Sequence, residues 1–151
     1  MRIAIGSDHA GYDLKEHLRK WMAPREIDVQ DVGPHAPDPS DDYPDFAGAV
    51  GRSIQSRAAD LGIIICSTGV GSCIAANKLR GVRAALVHDI FSARMSRLHN
   101  DANVLCLGAS IVAPRLAEEI LATWLSVSFS EEERHRRRVD KIAQLEAREN
   151  D

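Results

Sequence analysis

The chain has only three cysteines in 151 residues, Cys66, Cys73 and Cys106, an odd number with neither paired nor metal-type spacing. That excludes a disulfide framework and a zinc site, and suits a reducing compartment. No apolar run approaches the roughly 20 residues of a membrane span, and Met1-Arg2-Ile3-Ala4-Ile5-Gly6 is too short for the apolar region of a secretory signal, so the expectation is a soluble cytoplasmic protein. No two histidines stand four apart as in a helical metal site, and the acidic residues do not cluster with them; neither a metal nor a cofactor is expected. The excess of one sign of charge is also small. A net charge of −3 gives no general attraction to nucleic acid, and repeats and low-complexity segments are missing. Arg134, Arg136, Arg137 and Arg138 form one local basic cluster, which taken alone reads as the solvated face of a terminal helix.

What is present is material for one globular domain spanning 1–151, with 44% hydrophobic and 27% charged residues. Short aliphatic runs near Arg2–Gly6, Ile27–Val32, Leu61–Cys66, Arg83–Val87 and Asn103–Leu107 alternate with amphipathic stretches near Tyr12–Met22, Pro44–Arg57, Ser72–Leu79, Ile90–Leu98 and Ala113–Ser126. Near-continuous apolar runs are what strands buried on both faces require. The pattern predicts an α/β, three-layer αβα sandwich around a five-stranded, parallel, doubly wound sheet over residues 1–129. The proline-rich loop between Val32 and Tyr43 is predicted to be ordered or partly ordered over a site. Beyond Phe129, acidic Ser130-Glu131-Glu132-Glu133 opens a charged helix that occupies 130–151. Its inward stripe, Val139, Ile142 and Leu145, is thin, so the helix is expected to lie across the domain or against a second subunit.

In an open parallel sheet ligands bind beyond the carboxyl ends of the strands. The loops there hold Ser7-Asp8-His9-Ala10-Gly11, Ser67-Thr68-Gly69-Val70-Gly71-Ser72 and His88-Asp89, while His99-Asn100-Asp101 follows the fourth helix. The turn after Cys66 is rich in small residues whose amides can converge on an anion, a phosphate or an enediolate oxygen. It lacks the Lys-Ser/Thr end of a P-loop and the G-x-G-x-x-G order of a dinucleotide turn. Cys66, at the head of that turn, is placed to act as a thiolate base; taken alone it reads sooner as a buried strand residue, the reading given to Cys106 outright. Asp8 before His9 suits a carboxylate orienting an imidazole, and His99 either transfers protons or ends a helix. His17, His35 and His88 read as structural or surface residues. Arg134 and Arg138, four apart, can reach one phosphate together.

Five ordered motifs, Ser7–Lys15, Asp42–Pro44, Cys66–Gly71, Ala75–Lys78 and His99–Val104, together resemble the type B ribose-5-phosphate isomerases, whose wider family includes allose-6-phosphate isomerase activity and galactose-6-phosphate isomerase subunits. The resemblance implies a cofactor-free aldose–ketose isomerase of the pentose phosphate pathway, acting through a cis-enediolate. It implies Cys66 as the base, Thr68 and the amides of Ser67, Gly69, Val70 and Gly71 steadying the enediolate, and His99 opening the sugar ring. Asp8, His9 and Tyr43 would hold substrate, Asn100 a hydroxyl or the enediolate, and Arg134 and Arg138 the phosphate. It further implies a homodimer or tetramer with sites shared between subunits and the last helix packed across the dimer. Two positions depart from the pattern: Ser67, where glycine often follows the cysteine, and Ser110, where a phosphate-binding arginine often stands. The second leaves a weaker phosphate site, compensation by Arg115, Arg136 or Arg137, or a different sugar.

Overall fold

The computed structural model describes residues 1–148; residues 149–151, assigned above to the last helix, lie outside them. Strand β1 (Arg2–Ser7) leads through a short 3₁₀ turn to α1 (Tyr12–Met22), then β2 (Asp28–Asp31), α2 (Tyr43–Gln55), β3 (Leu61–Cys66), α3 (Val70–Ala76), β4 (Ala84–Leu86), α4 (Ile90–Asn100), β5 (Val104–Gly108), α5 (Pro114–Ser126) and α6 (Glu133–Arg148). The strands form one sheet in the order β2-β1-β3-β5-β4, with every pair parallel. Chain direction across the sheet reverses between β1 and β3, which opens a crevice at their carboxyl ends.

Alternation along the central strands builds two cores. Ile3, Ile5, Ile63, Ile65, Leu105 and Leu107 meet Leu14 and Leu18 of α1, Ala93 of α4, and Ile120, Leu121 and Trp124 of α5. The intervening Ala4, Ile64, Val104 and Cys106 meet Ala47 and Val50 of α2 and Ala76 of α3. Burying one such aliphatic side chain stabilises the fold by about 1.5–3 kcal/mol, so the central strands anchor the sandwich. Small residues line the second core, which lets α2 and α3 approach closely.

Burial on both faces holds for β1, β3 and β5 and fails for the two edge strands. Val29 and Asp31 of β2 are half-buried and Asp28 and Gln30 exposed, and Leu86 of β4 is exposed. Ile27, Val32, Arg83 and Val87 lie just beyond the ends of these two strands, with the Val32 and Val87 amides still donating to the Ile5 and Cys106 carbonyls. The third helix starts two residues earlier than predicted because Gly69, at φ +78°, turns the chain straight into it. The fourth runs on through His99 and Asn100. The last helix starts at Glu133, not Ser130, and its expected inward stripe is largely exposed: Ile142 and Leu145 face out, while His135 is the buried residue. Among the described residues no helix is long and apolar enough to cross a membrane.

Candidate active site

Cys66 ends β3 and is 4% exposed, with its sulfur turned into the loop that follows. The Gly69 amide donates to Sγ at 3.1 Å, and Ser72 Oγ lies 3.2 Å from the same atom. Ser72 Oγ is also 3.2 Å from the Gly69 carbonyl, so its one proton serves either the sulfur or that oxygen. The geometry depends on Gly69: a β-carbon there would stand 2.5 Å from Leu86 Cδ1 and 2.9 Å from the Leu107 carbonyl carbon, in a backbone conformation that side chains disfavour. Of the turn's other amides, that of Val70 donates to Thr68 Oγ1 at 3.3 Å, so this part of the nest is engaged within the loop. Tyr43, at the first position of α2, lays its ring on Gly71; a β-carbon at Gly71 would lie 2.5 Å from the Tyr43 ring.

β1 is hydrogen-bonded alongside β3, and the Asp8 amide donates to the Ile65 carbonyl at 3.2 Å, which sets the 3₁₀ turn beside Cys66. The expected Asp8–His9 pairing is not formed. Asp8 is 93% buried and caps its own turn by accepting from the Gly11 amide at 2.9 Å, a local bond that a short side chain makes three residues ahead. His9 turns instead to Asp41, whose Oδ1 lies 2.7 Å from Nδ1 and accepts from the His9 amide at 2.9 Å. This carboxylate raises the His9 pKa above its ordinary value, with burial opposing and Asp8 and Asp38 adding smaller contributions.

The loop that supplies Asp41 is ordered, as its prolines suggested, by a fully buried lysine. Lys15 Nζ sits 2.9 Å from both oxygens of Asp31 and donates to the Pro34 carbonyl at 2.6 Å. A buried ammonium is tolerated only with such a full set of partners.

His99 and Asn100 lie elsewhere. They end α4, which starts at the carboxyl end of β4 and returns to the start of β5, so they stand at the amino ends of the strands. The α5–α6 connection arrives at that end too. There the His99 and His135 rings stack with centroids 4.1 Å apart, and His135 Nδ1 lies 2.7 Å from Ser130 Oγ. Burial, followed by His99 and Arg134, lowers the His135 pKa. Arg134 Nε pairs with Glu132 Oε2 at 2.9 Å, and Arg138, one turn on, is exposed. The structure therefore sorts the predicted residues into two groups. Asp8, His9, Tyr43, Cys66, Ser67, Thr68, Gly69, Val70 and Gly71 share one rim of the sheet. His99, Asn100, Arg134 and Arg138 share the other, roughly 15 Å away along strands of this length.

The two departures noted above touch each other, Ser67 Oγ lying 3.0 Å from Ser110 Oγ. Arg115 stands near this rim but is held by Glu118 and Glu119. His17 pairs with Glu118, and His35 is exposed. His88 is not a plain surface residue: its Nε2 is buried, with no hydrogen-bond partner, against Gly108. Cys106 is fully buried, and its thiol lowers the pKa of Cys73 to about 7, with burial opposing. Among the described residues no group of three His, Cys, Asp or Glu side chains is arranged to hold a metal. Sequence reasoning missed Asp41, Ser72 and His135. Only Ser72 carried a local signal, a hydroxyl in the first turn of the helix that Cys66 precedes.

Residues 3–142 match the ribose/galactose isomerase family throughout. The chain belongs to that family. Among the family's solved structures, ribose-5-phosphate isomerase B of Clostridium thermocellum is 47% identical and superposes with a TM-score of 0.95 over 98% of this chain and 99% of its own. The Mycoplasma genitalium ribose-5-phosphate isomerase B with bound ribulose 5-phosphate is 43% identical, with a TM-score of 0.93 over 97% and 96% of the two chains. The family is not uniform in substrate: D-erythrulose-4-phosphate isomerase 2 of Mycolicibacterium smegmatis is 38% identical over 97% of each chain.

Proposed function

We propose that this protein interconverts ribose 5-phosphate and ribulose 5-phosphate through a cis-enediolate, with each active site assembled from two copies of the chain. It is an aldose–ketose isomerase by family, and the observation that carries the mechanism is the Cys66 sulfur facing the Gly69 amide and the Ser72 hydroxyl at the crevice between β1 and β3. In the forward direction the Cys66 thiolate takes the proton from C2 of the open-chain aldose, leaving an enediolate. The thiol then returns it to C1 while the O2 hydroxyl proton passes to O1, so that C2 becomes the carbonyl and one base serves both carbons. Negative charge on the enediolate oxygen is met by the donors of the Ser67–Gly71 turn and by Thr68. Asp8 and His9 hold the substrate from the neighbouring turn, and Tyr43 borders the ring.

Ring opening and phosphate binding need His99, Asn100, Arg134 and Arg138, which one chain holds at the far end of its own sheet. A second copy brings its amino-end rim to the Cys66 rim of the first. The exposed apolar residues Val70 and Ile74 beside the Cys66 turn and Ile142 and Leu145 on α6 supply surface for that contact. A homodimer is the smallest assembly that completes a site, with 1–151 as one isomerase domain whose last helix packs across the dimer. The reactive thiol suits a cytoplasmic, reducing setting.

Turnover of ribose 5-phosphate in deuterated water tests this reading. The expected result is ketose formation with deuterium entering at the transferred carbon, unaffected by chelators and lost in Cys66→Ala. Retained exchange in that variant removes Cys66 as the base, and conversion confined to four- or six-carbon aldose phosphates reassigns the substrate.

A further inference from the structure

We propose that Asp41 is the positioning residue of His9, fixing its ring so that Nε2 faces the rim as a donor to an anionic oxygen of the substrate. The inference rests on the site proposed above. A single carboxylate oxygen accepts from both the backbone amide and Nδ1 of His9, at 2.9 Å and 2.7 Å, which fixes the turn and the ring together. With Nδ1 committed, Nε2 is the nitrogen left for a ligand. The Asp41 side chain is 10% exposed and that of His9 39%, so the carboxylate forms the floor and the imidazole the surface. Asp41 Oδ2 is buried with no hydrogen-bond partner, which leaves His9 as the partner through which this carboxylate acts.

The support beneath the pair is rigid. The Asp41 amide donates to the Asp38 carbonyl at 3.0 Å, Lys15 clamps the start of the loop through Asp31 and Pro34, and Tyr43 at its end rests on Gly71 of the Cys66 turn. The charged groups facing His9 are Asp41 and Asp38 from the loop and Asp8 from its own turn, all carboxylates, so the imidazole is held toward its cationic form. A cationic donor beside the enediolate turn fits an anionic oxygen, either of the phosphate or of the enediolate.

The test uses the full chain and the variants Asp41→Asn and Asp41→Glu, with the His9 ring titration followed by NMR alone and with inorganic phosphate, and kcat and KM measured from about pH 6 to about pH 9. In Asp41→Asn the His9 midpoint is expected to move down, and at neutral pH the interaction with the anion to weaken about tenfold. Asp41→Glu is expected to recover part of both. A rise in KM with kcat held, together with a weaker phosphate effect on the His9 signal, assigns the contact to phosphate; a fall in kcat with KM held assigns it to the enediolate. An unchanged His9 titration, or a shifted one with kcat and KM both unchanged, overturns the proposal. Because the NMR readouts need no turnover, they separate failure of the Asp41 role from failure of the isomerase reading. An inactive wild-type chain in which Asp41→Asn still lowers the midpoint and weakens phosphate refutes the substrate and leaves the role of Asp41 standing.

Discussion

At the scale of single residues, His135 shows how burial turns into pH dependence. Burial of this imidazole, with His99, Arg134 and Arg138 beside it and Glu132 partly offsetting them, holds its pKa below that of the unfolded chain. The unfolded state therefore binds the proton more readily. Stability is full above the unfolded value of about 6.5 and falls as pH drops through the interval below it. Thermal unfolding measured at about pH 7 and about pH 5 is expected to show a larger fall in Tm for the wild-type chain than for His135→Gln; equal slopes remove His135 as the cause. Little of this was legible in the sequence. His135 sits inside Arg134–Arg138, and a run of charge conceals a single residue turned inward. Asp41 was hidden for a related reason: the His9 partner suggested by adjacency was Asp8, and only the loop fold brings a residue 32 positions away into contact. The place of Cys66 at the head of a turn into a helix was legible because the residues after it are small.

At the scale of elements, the strand–turn–helix passage from β3 to α3 is the part most exposed to a single change. Gly69→Ala is expected to destabilise the chain by about 1–3 kcal/mol, since the new methyl group meets Leu86 and the Leu107 carbonyl in a left-handed backbone. It also moves the amide that faces Cys66 Sγ, so turnover is expected to fall by more than the loss of folded protein explains. Calorimetry alongside steady-state rates checks both, and near-normal values in both would show that the turn tolerates a side chain. Element order and type were legible because helical and strand periods alternate cleanly. Boundaries were less so where tertiary context decides them, as where β2 and β4 shorten at the sheet edges and Gly69 starts α3 early.

At the scale of the whole molecule, the separation of Cys66 from His99 makes a prediction that no single-chain site shares. Cys66→Ala and His99→Asn homodimers are each expected to be inactive. After unfolding and refolding as an equal mixture, half the dimers are mixed and each carries one intact site, so about a quarter of wild-type activity returns. No recovery would place the whole site within one chain. Sequence motifs announced both groups of residues and were silent about where each group stands, because position along a chain does not reveal which end of a helix returns to which rim.

The buried Lys15 carries one more consequence. Its amine, fully enclosed and bonded to Asp31 and Pro34, is shielded from acylating reagents in the folded chain, whereas Lys20, Lys78 and Lys141 lie open to them. An acyl group on Lys15 is therefore a chemical record that a molecule has opened its core at least once, and such a molecule can no longer close the loop that carries Asp41.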